Sequence, residues 1–197
     1  MSQKEKINLK IIVGSTRQNR FSEQPARWLY EEAKKLPDAE VELLDLRDYA
    51  LPFFNEPISP AMGQGDYTDE TVARWAKKIA AADAYIAVTP EYNHGYSAVL
   101  KNAFDHLYHE WNNKPIGFLS YGSVGGARSV EQLRQIAIEL QMAPIRNAIY
   151  IANFWSLLDT NGQAKPGSFT SLAENAEKLF SQLNWWAKAL KTAREKK

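Results

Sequence analysis

Short apolar runs alternate along the chain with longer segments in which apolar residues recur every three or four positions. Five of the runs are too short for helices and are typical of buried strands: residues 9–13, 41–46, 84–89, 115–121 and 145–151. The segments between them have helical spacing, as expected for helices that cover a parallel sheet on both faces. The pattern therefore predicts an α/β fold.

Polar residues mark where the helices should begin. Ser22 and Asp69 each precede an apolar stripe and are suited to accept backbone N–H groups at a helix N-terminus. Other helices are predicted over residues 97–108, after the glycine-rich turn 122–127, and over 170–192. The expected buried faces are Ala26, Leu29, Ala33 and Leu36; Val72, Trp75, Ile79 and Ala80; Val130, Leu133, Ala137 and Leu140; and Leu172, Ala176, Leu179, Leu183, Trp186 and Leu190.

Five strands in this arrangement fit a flavodoxin-like three-layer sandwich, with a five-stranded parallel sheet in the order 2-1-3-4-5. In such sheets, ligands bind at the carboxyl ends of the strands where the strand order reverses. The loops after strands one, three and four, residues 14–21, 89–96 and 120–127, should therefore surround one crevice. Residues 51–67 are rich in proline and glycine and predict an irregular surface loop.

The first of these loops is suited to a phosphate. It joins a strand to a helix N-terminus, where backbone N–H groups and the helix dipole favour an anion. Hydroxyls of Ser15, Thr16 and Ser22 can donate to phosphate oxygens, and Arg17 or Arg20 can add a charge-assisted contact. The three-glycine and Gly-Lys-Ser/Thr fingerprints are absent, so a monophosphate such as FMN fits better than NAD, FAD or ATP. The alternative is a solvated turn with a serine cap.

The other two loops have features that suit a planar ring. Residues 90–96, Pro-Glu-Tyr-Asn-His-Gly-Tyr, combine an aromatic, an amide and a glycine. Residues 122–127, Gly-Ser-Val-Gly-Gly-Ala, leave backbone N–H groups unobstructed. Both are equally compatible with ordinary turns.

Composition narrows the class of protein. The 197 residues are 45% hydrophobic and 24% charged, which suits a single domain over residues 1–197. Lys plus Arg number 24 against 23 Asp plus Glu, and this balance argues against nucleic acid or membrane partners. There is no cysteine, so any redox chemistry needs a cofactor. Residues 1–6 are polar and no apolar stretch approaches the roughly 20 residues of a membrane span, which favours a cytoplasmic protein.

Several other residues invite a functional interpretation. His94, His106 and His109 lack convincing zinc-ligand spacing, so no metal site is expected, and His106 and His109 are assigned to a polar interface or solvent face. Arg128, after the glycine turn, is either a coenzyme phosphate contact or a solvated charge. Four tryptophans are expected in the core or a subunit interface rather than in a substrate platform: Trp111, Trp155, Trp185 and Trp186.

The segments GSTRQNR, TPEYNHGYSAVLKNAFDHLYHEW and SYGSVGGARSVEQLR resemble the NADPH-dependent FMN reductase family, which includes azoreductase, quinone reductase and chromate reductase activities. The likeness covers roughly residues 8–151. Position 97 is Ser where many members carry Pro. The resemblance implies FMN contacts by Ser15, Arg17, Arg20 and Ser22 at the phosphate; by Pro90, Glu91, Tyr92 and Asn93 along the isoalloxazine; and by Ser120, Tyr121, Gly122, Gly125 and Gly126 at the other side of the ring.

The same resemblance implies a ping-pong oxidoreductase. NADPH or NADH reduces the flavin, leaves, and is replaced by a small acceptor: a quinone, an azo compound, free flavin or a metal oxyanion. No catalytic side chain is required, and a homodimer or homotetramer is expected. The alternatives are a flavodoxin-type electron carrier and a non-redox binding protein of the same fold. The net charge of +1 argues against the carrier, since such carriers tend to be acidic.

Overall fold

The computed structural model describes residues 6–196. Residues 1–5 and 197, including most of the polar N-terminal segment, lie outside the described residues. Five parallel strands form a sheet: β1 (Ile7–Val13), β2 (Ala39–Asp45), β3 (Ala84–Pro90), β4 (Pro115–Gly122) and β5 (Ala143–Ala152). Their order, β2-β1-β3-β4-β5, confirms the predicted topology.

Five helices cover the two faces of the sheet: α1 (Glu23–Ala33), α2 (Glu70–Ala80), α3 (Ala98–Asp105), α4 (Ala127–Glu139) and α5 (Ala173–Arg194). Buried residues of α1 and α5 pack with one face of the sheet, and those of α2, α3 and α4 with the other. Strands β3 and β4 are buried along their whole length because helices lie on both sides of them. The result is the expected three-layer sandwich.

Most residues of the predicted buried faces are buried, Leu36, Leu172 and Leu190 are half-buried, and two positions are wrong. Ala80 and Trp186 are exposed, and Ala76 and Ala187 lie in the core instead. A helical period of 3.6 residues explains both errors. Counting from Ala176 it brings position 187 back to the sheet and turns position 186 about 100° away.

The helix predicted over residues 97–108 ends at Asp105. The turns that follow bring Trp111 into the core, where its ring meets those of Trp75 and Tyr85 edge-on. This confirms the core assignment of Trp111. Trp155, Trp185 and Trp186 are exposed, so they do not belong to the core. Their assignment to a subunit interface stays a prediction.

The 51–67 segment has no regular element, as predicted, and α3 and the turns after it hold the segment in place. Asn102 donates to the Pro52 carbonyl and accepts from the Phe54 N–H. His106 Nε2 lies 2.8 Å from the same Pro52 oxygen, and His109 Nε2 lies 3.2 Å from the Gly63 oxygen. The solvent-face prediction is therefore wrong for His106, which is buried.

Candidate cofactor-binding site

A cavity of about 840 Å³ lies at the carboxyl ends of β1, β3 and β4, where the strand order reverses. All three predicted loops contribute to its lining. Six of the residues predicted from the sequence line it: Arg17, Arg20, Pro90, Glu91, Tyr92 and Tyr121. The other predicted residues do not line this cavity. Asn93 is exposed, and Thr16 lines a separate cavity of about 340 Å³. Six are buried: Ser15, Ser22, Ser120, Gly122, Gly125 and Gly126.

The first loop leaves β1 with its backbone pressed against β3. The Gly14 N–H donates to the Val88 carbonyl, and a Cβ at Gly14 would lie 2.9 Å from that oxygen. Ser15 is buried, its Oγ accepts the Arg17 N–H, and it lies 3.1 Å from the Tyr92 hydroxyl. This contact joins the first and second loops. The Arg17 guanidinium is exposed and has no hydrogen-bond or ion-pair partner among residues 6–196.

Arg20 has a different environment from Arg17. Its guanidinium is buried, donates to both oxygens of the Asp45 carboxylate at the end of β2, and also donates to the Ser15 carbonyl. Burial opposes ionisation of Asp45, but hydrogen bonds from Arg20 and from the Arg47 N–H outweigh it and lower the pKa of the carboxyl. The charge of Arg20 is thus balanced by Asp45. Sequence reasoning assigned Arg20 to a phosphate and missed Asp45.

Ser22 precedes the first residue of α1 but does not cap the helix, contrary to prediction. Its φ and ψ of −52° and −28° are already helical, whereas a capping side chain needs an extended residue in order to reach the free N–H groups. Asp69, with φ −80° and ψ 123°, confirms its prediction and accepts the N–H groups of Thr71 and Val72. The N-terminus of α1 therefore lacks a side-chain cap at Ser22.

Three buried polar atoms near this end of α1 make no well-formed hydrogen bond in the described part of the chain: Arg20 Nε, Ser22 Oγ and the Tyr121 hydroxyl, and the last two interact with each other. Burial raises the pKa of Tyr121, so its hydroxyl keeps its proton. A buried polar group without a partner costs about 1–3 kcal/mol. Donors of this kind beside an uncapped helix N-terminus fit an anionic ligand such as a phosphoryl group.

The second loop is a tight turn whose charged residue is already paired. Tyr92 and Gly95 exchange two backbone hydrogen bonds, with left-handed Asn93 and His94 at φ 49° and 68° between them. The Glu91 carboxylate is nearly inaccessible and receives the Arg128 Nε at 2.7 Å. Arg128 is therefore paired with Glu91, while its side chain stays 40% exposed; a contact with a coenzyme phosphate stays a prediction.

The third loop requires its glycines for packing. Ser120 Oγ donates to the carbonyls of Thr89 and Gly126 at 3.0 and 3.2 Å. Gly125 and Gly126 have φ values of 76° and 81°, and a Cβ at Gly126 would lie 1.8 Å from Ser120 Oγ. These positions accept only glycine, which agrees with a turn whose backbone stays unobstructed.

The segment after β5 forms a cavity wall that sequence reasoning missed. Phe154 packs against Phe21 and Tyr121, with ring centroids 4.7 and 5.1 Å apart. Leu158 and residues 161–163 continue the wall. The Asp-Thr-Asn-Gly sequence at 159–162 is a turn signature that could have marked this segment.

Residues 6–196 show neither a metal-binding cluster nor a membrane-spanning helix. Histidine and carboxylate side chains do not gather there in any group of three or more that could hold a metal ion. Within the same residues, every helix is too short or too polar to cross a bilayer.

The sheet order and the helices on both faces define a flavodoxin-like fold. Residues 7–156 match the family described as NADPH-dependent FMN reductase. The chain belongs to this family, as the sequence motifs suggested.

Relatives of known name agree with this assignment. An NAD(P)H-dependent FMN reductase of Schizosaccharomyces pombe is 44% identical over 141 residues, which cover 71% of this chain and 70% of the relative. A quinone reductase of Pseudomonas putida is 29% identical over 161 residues, covering 78% and 82%. The solved structure of a flavoenzyme NAD(P)H:(acceptor) oxidoreductase from Paracoccus denitrificans superposes with a TM-score of 0.71 at 22% identity, covering 92% of this chain and 98% of that one, which supports the fold.

Proposed function

We propose that the protein is an FMN-dependent NAD(P)H oxidoreductase that passes electrons to a small acceptor. The observation that carries the proposal is the group of buried polar atoms beside an uncapped helix N-terminus, next to a cavity that is also lined by Arg17, which has no partner of its own among the described residues. This donor set suits a phosphate monoester, and family membership supports FMN as its source.

The phosphate is assigned to the first loop. Ser15, Thr16, Ser22 and the backbone N–H groups around them would donate to it, and Arg17 would supply the positive charge. Arg17 suits this role because its guanidinium has no competing partner in the part of the chain that the structure describes. Arg20 acts differently: by binding both Asp45 and the Ser15 carbonyl, it holds the loop in the shape that the phosphate needs.

The ring system is assigned to the second and third loops. Pro90, Glu91, Tyr92 and Asn93 would line one side of it, chiefly with backbone groups, and residues 120–126 would approach the other. Bound FMN would accept a hydride from NADPH or NADH and pass the electrons on to a quinone, an azo compound, free flavin or a metal oxyanion. Backbone N–H groups of the glycine turn would stabilise the negative charge that reduction leaves on the ring.

No side chain in the cavity is proposed as an acid or base. Glu91 is paired with Arg128, Asp45 is paired with Arg20, and Tyr121 keeps its proton because burial raises its pKa. The chain's task is to bind, orient and stabilise charge. The proposed exchange is ping-pong, with coenzyme and acceptor using the same cavity in turn.

A homodimer is part of the proposal, or a homotetramer if dimers pair further. Phe53 and Met62 on the 51–67 segment are 83% and 81% exposed, and Ile58 between them is also exposed. Apolar side chains this exposed on one segment suit a subunit interface. Light scattering on the purified protein tests the assembly. A cytoplasmic location is likewise proposed.

The activity is tested by following NADPH oxidation with and without a quinone. The proposal expects a yellow protein whose initial rates give parallel double-reciprocal lines at different quinone concentrations. Reduction of one equivalent of flavin without turnover would favour an electron carrier. A colourless protein that added FMN does not turn yellow would favour a non-redox binding protein.

A further inference from the structure

The wall after β5 contains a turn, residues 158–164, that its own aspartate organises. Leu158 and Ala164 pair as an antiparallel bridge. The Asp159 N–H donates to the Gln163 carbonyl at 2.7 Å, and Asp159 Oδ1 accepts the N–H groups of Asn161 and Gln163 at 2.8 and 2.9 Å. The 158–164 turn is thus a defined structure rather than a loose connection, and it lies beyond the family match, which ends at residue 156.

One side chain of α1 fastens this turn at the cavity. Gln24 Nε2 donates to the Gly162 carbonyl at 3.0 Å, and Gln24 Oε1 accepts the Ala164 N–H at 2.5 Å. Gln24 and the turn are far apart in sequence, so this pair of bonds is a tertiary contact. Because Gln24 itself lines the cavity, it sets where the turn stands relative to the first loop.

The chemistry of the wall suits a polar, anionic ligand. Asn161 and Gln163 line the cavity, and their side-chain amides have no hydrogen-bond partner among residues 6–196. Arg27 and Arg47 line the same cavity. Among the described residues that line it, Glu23 is the only carboxylate whose side chain is not buried, and hydrogen bonds from Arg27 lower its pKa. Arginines therefore outnumber carboxylates around the amides, and amides with arginines bind ribose hydroxyls and phosphates.

We propose that the 158–164 turn is a specificity-determining element for the nicotinamide dinucleotide, with Asn161 and Gln163 contacting its ribose–phosphate portion and Gln24 as the positioning residue. The inference rests on the proposed function and adds the binding element for one of its two substrates. An uncharged quinone has no ribose or phosphate to engage these groups. The turn should therefore affect the coenzyme and leave the acceptor unaffected.

The test compares the double variant Asn161→Ala/Gln163→Ala and the single variant Gln24→Ala with wild type, all saturated with FMN. Gln135→Ala, which removes an exposed amide on α4 away from the cavity, is the matched control. Loss of two hydrogen bonds should raise KM for NADPH by roughly tenfold or more in the double variant. KM for the quinone and Kd for FMN should stay within about twofold of wild type, since neither ligand engages the removed groups.

A second readout needs no turnover. Addition of NADP⁺ to the FMN-loaded wild type should slow amide hydrogen exchange in residues 158–164, and Gln24→Ala should exchange faster there before NADP⁺ is added. Three results would overturn the inference: an unchanged KM for NADPH in the double variant, a parallel rise in KM for the quinone, or hydrogen exchange that NADP⁺ does not affect. If the protein still bound FMN and were active, the proposed function would stand. A wild type that binds no FMN would remove both.

Discussion

Replacing Arg17 with alanine separates binding of the phosphate from binding of the ring. The guanidinium is exposed and makes no contact that stabilises the described fold, so the free energy of unfolding should change by less than about 0.5 kcal/mol. Loss of one hydrogen-bonded charge at the phosphate should cost about 1.5–3 kcal/mol of FMN binding. That cost corresponds to an increase in Kd of about 10- to 150-fold.

The assay is quenching of flavin fluorescence on titration with protein, using FMN and riboflavin in parallel. Riboflavin lacks the phosphate, so its Kd should be the same for wild type and Arg17→Ala. Arg27→Ala is the control, because Arg27 lies at the same cavity but is paired with Glu23. Equal losses for both flavins, or an unchanged Kd for FMN, would refute the assignment of Arg17 to the phosphate.

Three further substitutions test the supports of the site and the fold. Arg20→Met leaves Asp45 without its partner and should lower the free energy of unfolding by about 3 kcal/mol in urea denaturation; an unchanged midpoint would contradict the pairing. Gly126→Ala forces a Cβ against Ser120 Oγ at positive φ and should cost about 3 kcal/mol or more by the same method; a stable variant would show that the turn can rearrange. Burial lowers the pKa of Lys114 to about 7, so the unfolded chain binds the extra proton above that pH. Stability should therefore rise from about pH 7 toward pH 10, and Lys114→Met should flatten that rise; equal slopes would count against it.

Local patterns predicted what local physics controls. The five strands and their order follow from short apolar runs that alternate with helical spacing, and Asp69 was identified as a cap because its partners are two and three residues away. Gly126 was predicted as part of a turn that leaves backbone N–H groups unobstructed. Its contact with Ser120 was not predicted, because it depends on how β4 and the turn pack together.

Contacts between side chains that are far apart in the chain could not be predicted from the sequence. Arg20 and Asp45 are 25 residues apart in the sequence. Their ion pair, which leaves Arg20 without a free charge for a ligand, depends on β2 lying beside β1. Gln24 and Ala164 are 140 residues apart, so neither periodicity nor motif spacing could connect α1 with the turn after β5. Charged and amide side chains keep no periodic signature when their partners lie on other elements.

The proposed function depends on the loop between β1 and α1 holding the phosphoryl group of FMN. A crystal structure of the protein grown with FMN tests it directly. We expect the phosphoryl oxygens within hydrogen-bond distance of Ser15 and Arg17, with the Ser22 hydroxyl directed at the ligand. A phosphoryl group bound elsewhere, with the first loop facing only solvent, would contradict it.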